Sequence, residues 1–92
     1  MADDSARQVR VAGRVQGVWF RAWTQREALR LGLRGWVRNE ADGSVSALIA
    51  GPGDAMQAML AALHEGPETA HVDQVMSDPF DGPVPEGFEI RR

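Results

Sequence analysis

From Gln8 to Ala12 the chain alternates polar and apolar residues with period two, the pattern of a half-buried strand that runs to Gly13 with Val9, Val11 and Val15 on one face. Past Gly17 the period changes. Phe20, Thr24, Ala28 and Leu31 recur at spacings of four, four and three, one face of a helix from Trp19 to Leu31 that Gly32 closes. Gln25, Arg26, Glu27 and Arg30 fall on its exposed side. Leu33 to Asn39 reads as a second strand, in which Trp36 and Val37 must point to opposite faces. Glu40-Ala41-Asp42-Gly43 is a turn, signalled by Asp-Gly, and Ser44 to Ala50 is a third strand, so the pair forms a hairpin. Gly51-Pro52-Gly53 breaks the pattern, and Asp54 is placed to cap the helix that follows. In that helix Met56, Met59, Leu60 and Leu63 make a buried stripe, which stops before Gly66-Pro67. Ala70 to Ser77 is a fourth strand with irregular alternation, since Val72 and Val75 differ in parity. Asp78 to Glu86, with three prolines, is a loop, and Gly87 to Arg91 closes the chain as a short strand with Phe88 and Ile90 inward. Met1 to Ala6 is polar and reads as a loose tail.

Strand, helix, strand, strand, helix, strand is the order of an α+β, ferredoxin-like βαββαβ sandwich: an antiparallel sheet with two helices on one face, here with a short C-terminal strand added. A strand–helix–strand crossover makes the first two strands parallel, so both end at one rim of the sheet. The glycine-bearing stretch after the first strand and Asn39 at the end of the second therefore meet there. Residues eighteen positions apart, Arg21 and Asn39, are expected to face one cleft.

Length and charge narrow the field. Ninety-two residues, 43% of them hydrophobic and 25% charged, make a single globular domain over 1–92 with room for one core. The absence of cysteine excludes disulfides, thiolate nucleophiles and cysteine-based metal sites, and fits a cytoplasmic protein. A net charge of −3 gives no basic field to hold a polyanion, so nucleic acid is not an expected partner. No apolar run approaches membrane-spanning length, and Asp3 and Asp4 stand where a signal peptide needs positive charge, so no membrane partner is expected. Nothing in the pattern calls for more than a monomer.

Chemistry concentrates in Gly13-Arg14-Val15-Gln16-Gly17-Val18-Trp19-Phe20-Arg21, which contains two glycines, two arginines and no acid. A loop of this kind can curl its N–H groups inward, and with the unpaired N–H groups of the first helical turn they make a concave site of partial positive charge. Arg21 adds a planar fork matched to two oxygens of a phosphate or carboxylate. On these residues alone the stretch reads either as an anion cradle or as turn chemistry beside a solvated arginine. It is not a nucleotide-binding P-loop, because the Gly-Lys-Ser/Thr ending is missing.

That stretch, followed by Gly32-Leu33-Arg34-Gly35-Trp36-Val37-Arg38-Asn39 and then by Asp42-Gly43-Ser44-Val45, closely resembles the acylphosphatases, over most of the chain. The resemblance implies hydrolysis of the mixed anhydride between a carboxylic acid and phosphate, with no cofactor, metal or phosphoenzyme. It implies that the backbone of Val15, Gln16, Gly17, Val18, Trp19 and Phe20 cradles the phosphoryl group, that Arg21 pairs with its oxygens and that Asn39 holds the attacking water. The expected partner is a small acyl phosphate, with phosphate and other anions as inhibitors. Glu40, next to Asn39, brings an acidic group toward a dianion pocket.

Other residues read as structural. His64 and His71 lack metal-ligand spacing. Trp23 is a packing residue, while Trp19 and Trp36 read either as packing residues or as stacking partners for an acyl group. Arg14 reads as an anion-steering charge or as a contact. An RNA-recognition motif shares the element order, but the third strand has no aromatic residue. A small-ligand accessory domain that keeps the cradle without turnover is the remaining rival.

Overall fold

A computed structural model describes residues 4–92; Met1 to Asp3, the outer part of the expected tail, lie outside the described residues. The elements are β1 (Asp4–Arg14), α1 (Phe20–Arg30), β2 (Arg34–Asn39), β3 (Val45–Pro52), α2 (Gly53–Glu65), β4 (His71–Pro79) and β5 (Phe88–Arg91). The sheet runs β4-β1-β3-β2-β5. β1 and β2 are antiparallel to β3, and β4 to β1, which is the ferredoxin-like order. The added strand β5 runs parallel to β2, with Val37 opposite Ile90, so the sheet is mixed at that edge and three strands end at the same rim. α1 lies against β2 and β5, α2 against β1, β3 and β4, and the helices touch each other.

The core sits between sheet and helices. Val9, Val11, Val37, Val45, Ala47 and Ile49 face Phe20, Ala28, Met56, Met59 and Leu63, all buried. Each large side chain fully withdrawn from water contributes about 1.5–3 kcal/mol. Thr24 is buried on the same stripe as Phe20 and Ala28, with Leu31 packed at its end. Leu60 is only partly buried.

Several boundaries move, each for a local reason. β1 begins at Asp4 because Asp4 to Ala6 pair with Pro52 to Ala50, so the inner half of the expected tail is strand. β3 correspondingly continues through Gly51 to Pro52, past the expected break, and the first residue of α2 follows at once. Asp54 therefore lies inside the helix rather than at its cap; Pro52 holds the cap position, and the Asp54 carboxylate accepts from the Ala55 N–H at 2.9 Å. In β4 the pairing slips between Ala12 and Gly13: Gln74 faces Ala12 and Val72 faces Gly13, leaving Asp73 as the extra residue of a bulge. That extra residue puts Val72 and Val75 on one face despite their parity, and both pack on the core. Gly13 makes the bulge possible, because a Cβ there would stand 2.2 Å from the His71 carbonyl oxygen.

Candidate active site

The site begins at the exit of β1. Val15 and Phe20 are buried and Val18 packs on the same core, so three side chains pin the connection between β1 and α1 from beneath. Gly17 turns the chain at a φ of 74°, where a glycine meets no steric penalty. Trp19 follows in the left-handed region, φ 65° and ψ 19°, as the cap residue of α1. Helix and loop join at that residue rather than within a regular turn, so α1 starts at Phe20. No side chain caps it and no acidic residue stands in its first turn. The first N–H groups of a helix have no intrahelical acceptor, and here they open onto the rim with their partial positive charge uncompensated.

Arg21 occupies the second position of α1. Its guanidinium donates to the Arg91 carbonyl at 3.2 Å and pairs with no carboxylate among the described residues. One turn on, the Gln25 amide donates to the Phe88 carbonyl at 2.8 Å. These two bonds hold the edge strand β5 against α1. Asn39 ends β2 across the rim, and its Oδ1 is buried without a donor among the described residues. An unsatisfied buried acceptor costs about 1–3 kcal/mol, and Thr24 Oγ1 on α1 is likewise without a partner among the described residues.

Val15, Gly17, Trp19, Phe20, Arg21, Ala22, Asn39 and Ile90 line one cleft of about 360 Å³. An adjoining hollow of about 550 Å³ shares Arg21, Asn39 and Ile90 and is bounded by Arg92. The structure thus brings Arg21 and Asn39 together with four of the six expected loop residues. Gln16 and Val18 do not line the cleft. Val18 points into the core, and its carbonyl accepts from the Thr69 hydroxyl at 2.8 Å. Gln16 turns across the rim, where its Nε2 donates to the Glu40 carbonyl at 2.7 Å and the Ser44 carbonyl at 2.8 Å. Both amide hydrogens are spent on the turn that begins immediately after Asn39, so the loop after β1 and the Asn39 strand end are tied by one side chain.

That turn has its own fastening. The Glu40 N–H donates to the Ser44 carbonyl at 2.8 Å, and Asp42 accepts from the Ser44 N–H at 2.9 Å and hydroxyl at 2.6 Å. The Ser44 hydroxyl first, then its N–H, hold the Asp42 carboxyl below its ordinary value. Glu40 does not face the cleft. Its carboxylate takes a 2.8 Å bond from Arg38 Nε, and that guanidinium lies 4.7 Å from the centre of the Trp36 ring. Bonds from Arg38 and then from the Ser46 hydroxyl keep the Glu40 carboxyl below its ordinary value. The acidic neighbour of Asn39 is compensated on the other face of the sheet.

Trp36 lies on that other face too, with the Arg91 guanidinium 5.3 Å from its ring, so it takes no part in the cleft while Trp19 does. Arg14 ends β1 opposite His71, outside the cleft lining. His71 is exposed and 3.0 Å from Asp73. The expectation that Ile90 is inward requires correction: it shares a face with Phe88, but at the end of an edge strand beyond the cover of α1 it is 41% exposed. A contact of the site was missed with it. The available signal was the parallel pairing of β5 with β2, which sends its end to the same rim.

The family model for acylphosphatases matches residues 7–90. The chain is 58% identical over 77 residues to an acylphosphatase of Nitrobacter hamburgensis, covering 84% of this chain and 78% of that protein. It is 55% identical over 91 residues to an acylphosphatase of Rhizobium meliloti, covering 98% of this chain and 96% of that one. The solved acylphosphatase of Coxiella burnetii superposes with a TM-score of 0.92 at 32% identity, over 97% of this chain and 94% of that one.

Proposed function

The chain belongs to the acylphosphatase family, and from that premise we propose how its cleft carries out the hydrolysis of small acyl phosphates to a carboxylate and inorganic phosphate. The phosphoryl group lies against the backbone N–H groups of residues 15–20 and the first turn of α1, and Arg21 pairs with its oxygens. Asn39 holds the attacking water through its side-chain carboxamide. The water oxygen bonds to phosphorus as the bond from phosphorus to the acyl oxygen breaks. The carboxylate departs with that electron pair, and the proton of the water passes to a phosphoryl oxygen.

So sparse a site suffices because of the leaving group. A carboxylate is stable as an anion at neutral pH, so no acid has to protonate it. What remains is relief of charge on the phosphoryl oxygens and a water held in line. Arg21 and the amides supply the first, already oriented before the reaction begins. Asn39 supplies the second without a negative charge to repel the substrate. Phosphate and other small anions compete for the same cradle. The protein works as one domain and as a monomer, in the cytoplasm. Its large exposed apolar side chains, Trp19, Leu29, Met76 and Ile90, are divided between the cleft and separate elements rather than gathered into one docking patch.

The observation that carries this reading is the convergence in one cleft of Arg21, whose guanidinium has no carboxylate partner among the described residues, and the Asn39 carboxamide at the end of β2. The test is release of benzoate from benzoyl phosphate by the purified protein in excess chelator, with Asn39→Ala in parallel. The parent turns over without added metal, and the variant is slower by roughly a hundredfold, the effect of removing one preorganised polar group. A parent that binds phosphate yet shows no turnover above background would instead be a phosphate-binding accessory domain.

A further inference from the structure

We propose that Trp19 and Ile90 are the walls that seat the acyl group, and that they select acyl phosphates whose acyl part is flat and apolar, aromatic ones first. The inference rests on the cleft being the hydrolytic site. Its starting point is that Trp19 is poorly explained by the stability of the fold. It is the only residue other than glycine with a positive φ among the described residues. A left-handed backbone strains a bulky residue in a way that glycine would not incur. The side chain recovers little of this by burial, since Trp19 is 81% exposed. It makes no capping hydrogen bond either. A large indole is thus held in a strained conformation, facing solvent, at the lip of the cleft.

Ile90 presents the matching anomaly on the β5 side. Its register partner Val37 is fully buried, whereas Ile90 is 41% exposed although both lie on the helix-facing side of the sheet. Its position is fixed from both sides, by the bond from Gln25 to the Phe88 carbonyl and by that from Arg21 to the Arg91 carbonyl. Of the large exposed apolar side chains, Leu29 and Met76 stand on α1 and β4 away from the cleft; Trp19 and Ile90 line it together with Arg21 and Asn39. At about 360 Å³ the cleft is at the lower end of the range for small-molecule sites. With the phosphoryl group against the loop and Arg21, the acyl group has these two as the large exposed apolar side chains of its surroundings. An aromatic acyl group gains contact with the indole face that a methyl group cannot.

The test compares kcat/KM for benzoyl phosphate and acetyl phosphate in the parent, Trp19→Gly and Ile90→Ala. Glycine keeps the left-handed backbone without strain, so Trp19→Gly removes the side chain and spares the turn. The ratio of benzoyl to acetyl activity is expected to fall about tenfold in Trp19→Gly, and by a smaller factor in Ile90→Ala, through a raised KM for the benzoyl substrate. A ratio that stays at the parent value in both variants overturns the proposal, including the case where both substrates lose activity equally, since Trp19 would then act only through the phosphate loop. A parent without turnover of either substrate removes the hydrolytic reading itself, a result distinct from turnover with an unaltered ratio.

Discussion

α1 and α2 begin in similar local fashion and come to opposite ends. Each follows a strand of the same sheet, and neither has a side-chain cap hydrogen bond among the described residues. In α1 the second residue is Arg21 and the first turn holds no acid. In α2 the second residue is Asp54, and its carboxylate already accepts from the Ala55 N–H at 2.9 Å. The positive end of α2 is thus compensated from within, by a charge that favours the helix. That of α1 is left open and reinforced by a guanidinium. The surroundings differ as well: α1 starts at the rim where β1, β2 and β5 end, so Asn39 and Ile90 face it, whereas α2 starts at the rim where β1 and β2 begin. A helix N-terminus alone is therefore not a site in this fold. In the proposed mechanism it becomes one where its own sequence withholds the counter-charge and the topology brings other strand ends to it.

The most severe way to break this contrast is to give α1 the residue that α2 carries. Arg21→Ala removes one preorganised donor group and is expected to lower kcat/KM for benzoyl phosphate roughly a hundredfold to a thousandfold, about 3–4 kcal/mol. Arg21→Asp should be worse by at least about a further tenfold, because a carboxylate at the same position both occupies the helix end and repels the dianion. Thermal melts of both variants should stay near the parent, since the Arg21 side chain makes only one exposed hydrogen bond. Parent-like kcat/KM in either variant would remove Arg21 from the cradle. Equal losses in the two would show that charge at this helix end matters less than the fork of donors.

A subtler break leaves both helix ends intact and cuts the tie across the rim. Gln16→Ala removes two donors to the turn behind Asn39, each worth about 0.5–1.5 kcal/mol in net terms. Because that turn is also fastened by Asp42 and Ser44, the fold is expected to survive. Asn39 loses its brace, so kcat should fall about tenfold with KM changed less, since in the proposed mechanism binding depends on the loop backbone and Arg21. A rise in KM at unchanged kcat would instead assign Gln16 to the phosphate cradle.

Much of this contrast was readable in the chain. The change of period from two to helical spacing on either side of Gly13 to Gly17, the crossover rule and the type of residue at 21 and 39 together predict one cleft with a guanidinium and a carboxamide in it. What escaped the sequence depends on partners far away along the chain. Asp54 reads as a cap because capping is a local rule, yet pairing of Asp4 with Pro52 extends β3 and moves the helix start past it. Ile90 reads as core because alternation with Phe88 gives its face but not whether a helix covers that face. Gln16 reads as one more loop residue because only the folded hairpin shows the two carbonyls its amide reaches. The irregular spacing of Val72 and Val75 is explained only once the bulge at Asp73 is known.

The smallest expected effect sharpens the comparison from the α2 side. Asp54 lies in the first turn of α2, exposed, where an anion near a helix N-terminus contributes about 0.3–1 kcal/mol at low salt. Asp54→Asn removes the charge and keeps an oxygen able to accept from Ala55, so urea unfolding should show a loss near the lower end of that range, shrinking as salt is added. Turnover of benzoyl phosphate should not change, because the opposite rim holds neither Arg21 nor Asn39. The two helices then separate cleanly in one experiment: neutralising the second residue of α2 is read in stability and not in rate, while neutralising the second residue of α1 is read in rate and hardly in stability. A rate loss in Asp54→Asn matching that of Arg21→Ala would mean that the two rims are coupled through the sheet, and that the contrast between the helix starts does not explain where the chemistry lies.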